Sequence, residues 1–275
     1  MKRPASPWLH ELKWPDIAEY LETNDIVLVP IGATEQHGRH LPLLVDTAWA
    51  CKVSEGVARS EHVLIAPPLH FGWSPHHLGY PGGITLRGDT LMQVAIDVAE
   101  SLLSHGFKKV VFVNGNRVAN LPPLQIAMAK LRFATDAYVA ILDTHLIARK
   151  EVCELCDNAP NASHHAGDAE TSFMLHAHPE LVAASEIGPT RDRQRPAFLN
   201  NIAMDPPFDA NVAFCHPTAS EFMKATEPYG YYSNPTAASA AKGQRILEVT
   251  IARSIEFIRQ VKKIEVSPRR PAIPV

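Results

Sequence analysis

A chain of 275 residues, 46% of them hydrophobic, carries enough apolar material for one large core, and the expectation is a single domain over 1–275. A net charge of -3 with both signs interspersed offers no basic footprint for nucleic acid. No uninterrupted apolar run of about 18 residues is present, and Met1 to Trp8 lacks the apolar centre of a secretion signal, so neither a membrane nor an export route is expected and the cytoplasm is the default location.

In chain order, the first strong element is Ile26–Ile31, a branched aliphatic run closed by Gly32 that reads as a buried strand. Thr47–Arg59 follows as a helix, then His62–Ala66 as a strand, Thr90–Ser104 as a helix and Lys109–Val113 as a strand. Leu124–Phe133 reads as a helix, Tyr138–Leu142 as a strand, and Ala169–His178 and Ala237–Lys262 as helices. Strands alternating with helices predict a mainly parallel sheet covered on both faces, an α/β/α sandwich in three layers. The segment Ile187 to Tyr232, rich in Pro, Asn and Asp, has little periodicity and reads as a long excursion over the site mouth, as an oligomer contact, or as a surface loop with no role. Cys153 and Cys156 have redox or zinc spacing, but no second cysteine pair completes a site, and they read as incidental.

The loop after the first strand holds the most informative cluster: Thr34-Glu35-Gln36-His37-Gly38-Arg39-His40-Leu41-Pro42, followed by Asp46. Ligands of open α/β sheets bind at the carboxyl ends of the strands. Glu35 and His37 are two apart on extended chain and point the same way. Asp46 opens the next helix, where a carboxylate is favoured and can bridge two cations. These residue types point to a metal, although a solvated loop with a helix-capping Asp46 accounts for the same letters.

Further segments share this order with a known family. They are Gly72-Trp73-Ser74-Pro75-His76-His77, Tyr80-Pro81-Gly82-Gly83, Val113-Asn114-Gly115 with Asn120, His165-Ala166-Gly167-Asp168-Ala169-Glu170-Thr171-Ser172, and Asn234-Pro235-Thr236. With the Glu35–Asp46 block they resemble the creatininase (creatinine amidohydrolase) family from about residue 8 to about residue 260. The resemblance implies a creatininase-like fold and a metal-dependent hydrolase that opens cyclic amides or cleaves formamide-like bonds. Two alternatives are ring opening of a cyclic keto-polyol, as by 3-dehydro-scyllo-inosose hydrolase, and a non-catalytic relative that only binds a ligand.

The resemblance also implies roles. Glu35, His37, Asp46, Asn116 and Asp168 are the expected metal ligands, holding one or two divalent ions, zinc or manganese. Asn116 stands where the family has a metal-binding His, and Asp168 stands for a Glu. Taking His165 and Asp168 as three apart in one helix puts them on one face, with Asp168 as the ligand and Glu170, about 200° further round, orienting from behind. His165 is the expected proton donor. Trp73 and His77 are expected to wall the substrate, or to pack a tight turn. Arg117 is expected to recognise a polar or anionic group of a small-molecule substrate, and Arg39 either does the same or forms a surface salt bridge. His145 carries no motif and reads as structural. A homo-oligomer, hexameric by resemblance, is expected, with Phe198, Phe208, Phe214, Phe222, Tyr229, Tyr231 and Tyr232 as candidate contact residues.

Overall fold

Strand β1 (Ile26–Ile31) is buried along its whole length, and a strand buried on both faces needs helices above and below it. The computed structural model, which describes residues 4–157, 165–188, 216–231 and 233–269, supplies them. Its sheet also contains β2 (Leu64–Ile65), β3 (Lys109–Asn114) and β4 (Tyr138–Asp143), in the order β2-β1-β3-β4, with every pair parallel. One face packs against α2 (Val45–Glu61), α5 (Arg149–Leu155), α6 (Asp168–Ala177) and α8 (Ala240–Lys262). The other packs against α1 (Trp14–Leu21), α3 (Gly88–Ser104) and α4 (Arg117–Thr135). The three layers are those expected from the alternation of elements.

Pro30 lies in the central strand, where a missing N–H normally disrupts pairing. Here β2 ends at Ile65, and the Pro30 carbonyl accepts from Leu69 N–H at 2.9 Å, so the proline faces a place where the regular ladder has already stopped.

The register sets up the site. Ile31 pairs with Asn114, and Asn114 with Asp143, so the loops after β1, β3 and β4 leave the sheet side by side. They crowd the start of α2. A β-carbon added to Gly115 would lie 2.0 Å from the Asp46 carbonyl oxygen, so only glycine lets the β3 loop approach Asp46 this closely. Within the irregular segment, α7 (Ala219–Thr226) is a helix closed at its start by a reciprocal Thr218–Glu221 cap, and its Phe222 and the following Tyr231 are buried against their own chain. Tyr229 is half-buried, while Phe198, Phe208, Phe214 and Tyr232 lie outside the described residues.

Candidate metal centre and histidine cluster

Glu35, His37, Asp46 and Glu170 are all buried. The His37 ring is held by Nδ1, 3.2 Å from the Glu35 carbonyl oxygen, and since a carbonyl only accepts, Nδ1 carries the proton. Nε2 then presents a lone pair. It lies 3.4 Å from Asp46 Oδ1 and 3.6 Å from Glu170 Oε2 and has no hydrogen-bond partner. A lone pair facing two carboxylates is repulsive unless a proton or a cation stands between them. Burial opposes charging His37, but Asp46 and Glu170 overcome it and hold its pKa up to about 10. Burial, with Asp46 adding to it, raises the Glu35 carboxyl well above its usual range, and Glu35 Oε2 also lacks a partner.

These two orphaned atoms test whether a divalent ion fits. Ligand atoms around a tetrahedral ion with bonds of about 2.1 Å are roughly 3.4 Å apart, close to the observed spacings. Glu35, His37 and Asp46 bring ligand atoms within 4.8 Å of one another, and the donor set suits the group.

A second set of histidines faces Glu35 from above. Gln36 fixes their protons. Its Oε1 accepts from Gly38 N–H at 2.8 Å and its Nε2 donates to the Gly230 carbonyl at 2.9 Å, so backbone partners set the amide orientation at both ends. The same Nε2 is 3.1 Å from His77 Nδ1 and 3.0 Å from His165 Nε2; with one of its two protons on Gly230, the other is shared between them, and since an amide nitrogen does not accept, neither ring turns an N–H toward it. The protons sit on the opposite nitrogens, His77 Nε2 at 3.2 Å and His165 Nδ1 at 3.6 Å from Glu35 Oε1. Burial first, and neighbouring histidines next, hold both rings well below the usual histidine pKa, in keeping with neutral N–H donors. Glu35, His77 and His165 also have metal-like spacing, with the protonated nitrogen of each ring on the side of Glu35.

Asp168 and Glu170 exchange the places expected of them. Helix α6 begins at Asp168, after a turn in which Ala166 has φ +52°, so His165 precedes the helix and does not share a helical face with Asp168. Asp168 points to α8, accepting from Lys242 Nζ at 2.7 Å, Ser172 Oγ at 3.1 Å and Asp157 N–H at 3.2 Å. Glu170 turns into the cage, with Oε2 anchored by Ala166 N–H at 2.6 Å. Burial raises the Glu170 carboxyl above its usual range.

Asn116 is the N-cap of α4: its Oδ1 accepts from Ala119 N–H at 3.2 Å and its Nδ2 donates to Asp46 Oδ2 at 3.0 Å. Its oxygen caps the helix and its nitrogen holds Asp46 in place. Trp73 lies tilted against His216 at 5.1 Å, His216 meets His76 at 4.8 Å and His76 meets His77 at 4.2 Å, which joins Trp73 and His77 in one row of rings. Arg117 is half-buried at the start of α4, with burial lowering its pKa and Asp143 opposing that shift; it stands outside the metal-like groups. Arg39 pairs with Glu186 at 3.1 Å, both well exposed, and is the surface salt bridge of its two readings. His145, which sequence reasoning set aside, has a ring nitrogen within 4.8 Å of Asp46 and Glu170 oxygens. Only the strand register could have revealed it.

The parallel sheet, with a carboxylate cage at its strand ends and imidazoles around it, makes an α/β/α sandwich with a buried polar site. The family model of creatininase (creatinine amidohydrolase) matches residues 10–258, and the chain belongs to that family. It is 32% identical over 228 residues to the mycofactocin precursor peptide peptidase of Mycolicibacterium smegmatis, covering 80% of this chain and 79% of that one. With the creatinine amidohydrolase of Pseudomonas putida it shares 28% identity over 271 residues, 93% of this chain and 97% of the relative. A solved creatininase superposes with a TM-score of 0.75 at 25% identity, covering 95% of this chain and all of the other. Solved creatininases of the same fold include a manganese form and a Zn-Zn form.

Proposed function

We propose that this chain is a metal-dependent hydrolase that cleaves the C–N bond of a small cyclic or formylated amide with a metal-activated water. The observation that carries the reading is the buried, unpartnered His37 Nε2 facing Asp46 and Glu170 beside the unpartnered Glu35 Oε2. Glu35, His37 and Asp46 would hold a divalent ion, which supplies the Lewis acidity that polarises a carbonyl and acidifies a water.

Hydrolysis requires one proton taken from the water and one given to the leaving nitrogen. The water's proton is accepted by Glu170, which turns into the cage beside the Glu35, His37 and Asp46 set. His165 delivers the second from Nδ1, the nitrogen that Gln36 keeps protonated. Burial keeps water from competing for these groups, and Trp73, His77 and Phe222 offer planar faces to a compact substrate. Arg117 binds a polar substituent of that substrate. The similarity to a peptidase and to a creatinine amidohydrolase supports amide chemistry.

Ring opening of a cyclic keto-polyol is the second reading. It is supported by 26% identity over 185 residues, 66% of this chain and 60% of the relative, to the 3-dehydro-scyllo-inosose hydrolase of Thermotoga maritima. Assay of manganese- and zinc-loaded protein against cyclic amides, formamides and cyclic keto-polyols tests both. Amine release abolished in His165→Ala at unchanged metal content supports the first reading, and turnover confined to keto-polyols replaces it with the second. Metal binding with no turnover of any compound in His165-intact protein leaves a ligand-binding relative.

A further inference from the structure

We propose that His40 and Thr171 are a positioning pair: together they hold Ala166 in the left-handed region, and the turn made there aims His165 and Glu170 into the site. The inference rests on the hydrolase reading above and extends it to two buried residues that belong to none of the metal-like groups.

Ala166 is fully buried and has φ +52°, a conformation that its β-carbon disfavours. Among the described residues, the other non-glycine residues with positive φ are His62 and Asp136, which close α2 and α4, where a left-handed residue is a common ending. Ala166 instead stands just before α6 begins. A strained residue in a buried place persists only when its surroundings over-determine it, and such residues gather at functional sites.

The surroundings do so here. The Ala166 N–H donates to Glu170 Oε2 at 2.6 Å, the preceding carbonyl of His165 accepts from Ser233 Oγ at 2.8 Å, and the Ala166 carbonyl accepts from Thr171 Oγ1 at 3.3 Å. The Thr171 hydroxyl has one proton and gives it to a group that can only accept, so its oxygen receives the N–H of His40 Nε2 at 2.8 Å. The rest of the ring agrees with this tautomer. His40 Nδ1 is buried with no hydrogen-bond partner, as the bare nitrogen of a neutral imidazole, and burial first and His37 second hold the ring's pKa down to about 4. The ring is itself seated edge-on to Tyr231 at 5.6 Å, and the His40 carbonyl accepts from Ala183 N–H at 2.9 Å. His40 comes from the loop after β1 and Thr171 from α6, so the pair ties together the two segments that carry His37 and Glu170.

The turn decides where two reacting groups stand. Through it His165 Nε2 comes 3.0 Å from Gln36 Nε2 and His165 Nδ1 comes 3.6 Å from Glu35 Oε1, while Glu170 Oε2 comes 3.6 Å from His37 Nε2. The acceptor of the water's proton and the donor to the leaving nitrogen thus depend on one strained residue, and His40 and Thr171 act on the reaction through it. A reacting group displaced by about 1 Å can cost on the order of 100-fold in rate.

The test uses Thr171→Val, which keeps the shape and deletes the hydroxyl, and Thr171→Ser, which keeps the hydroxyl. Each is assayed as manganese-loaded full chain with the amide that the wild type turns over fastest in the screen above, beside elemental analysis and a thermal melt. Thr171→Val is expected to lose at least about tenfold in kcat with KM and metal content unchanged, and Thr171→Ser to stay within about threefold of the wild type. His40→Phe, which keeps a ring against Tyr231 and removes the N–H, is expected to show the same split as Thr171→Val. A wild-type kcat in Thr171→Val overturns the assignment, and so does a loss in Thr171→Ser as large as that in Thr171→Val. Crystals of Thr171→Val need no substrate: Ala166 is expected to leave the left-handed region and the His165 ring to move away from Gln36, and an unmoved turn overturns the assignment. A wild type that turns over no amide sinks the hydrolase reading instead, and the crystals alone then decide whether the pair holds the turn.

Discussion

Asp168→Ala is expected to unfold the protein more easily without emptying the metal centre. The Asp168 carboxylate is fully buried and accepts from Lys242, Ser172 and Asp157, joining α6 to α8. Removing one member of a buried ion pair costs about 3–5 kcal/mol, because the remaining charge and polar groups lose their partner. Lys242 keeps Asp157 as a second carboxylate partner at the surface, so the lower end, about 3 kcal/mol, is the expected loss. In a chain of about this size, 1 kcal/mol moves the melting temperature by roughly 2–4 °C, so the shift is roughly 6–12 °C. Asp168→Asn keeps the shape and one acceptor oxygen and should lose about half as much. Thermal melts of both variants, with metal measured by elemental analysis, decide the matter. An Asp168→Ala protein that melts like the wild type but has lost its ion would restore Asp168 as a ligand and refute the geometry argued from α6.

His37→Ala should abolish tight metal binding and activity in a folded protein, and full metal occupancy in that variant would remove His37 from the centre. His165→Ala should retain metal and lose about 100-fold or more in kcat, in the range of a missing general acid; a wild-type rate would leave it a wall residue. The buried His40 and His76, whose pKa values burial lowers to about 4 and about 3, bind fewer protons folded than unfolded. Their contribution to stability should therefore fall as pH drops below about 6.5, where the unfolded rings begin to charge, against the opposite trend of Glu35, Glu170 and His37, and a His76→Asn protein whose melting temperature falls between pH 7.5 and 5 as much as the wild type's would contradict this sign. Light scattering should give a mass above the 30.2 kDa of one chain, the expected assembly being a hexamer, and an active monomer would rule that out.

Much of this molecule was legible in one sequence because its buried strands are continuous apolar runs. The limits of β1 agree at both ends, since Asp25 and Gly32 bracket the run. The helix expected over Leu124–Phe133 is longer at its start, where Pro122 and Pro123 stand. The helix starts at Arg117 and runs through them, forgoing ladder bonds that the two prolines cannot donate. Helices α1 and α7 were missed, both being short. In the site, Glu35, His37 and Asp46 were visible because all three lie on one loop. Glu170 was demoted by the assumption that the helix already included His165, and His145 was invisible because its proximity depends on how β3 and β4 pair rather than on local spacing.

The Gln36 amide ties the histidines to the far end of the chain. The carbonyl that orients it belongs to Gly230, 194 residues downstream, in the turn that follows α7. All four strands, with Glu35, His37 and Asp46, precede Gly230 in the chain and are synthesised before it. Until it docks, nothing from that turn holds the Gln36 Nε2 between His77 and His165, and either ring is free to take the other tautomer. The proton pattern of the histidines, like the covering of one sheet face by α8, thus waits for the last third of the polypeptide.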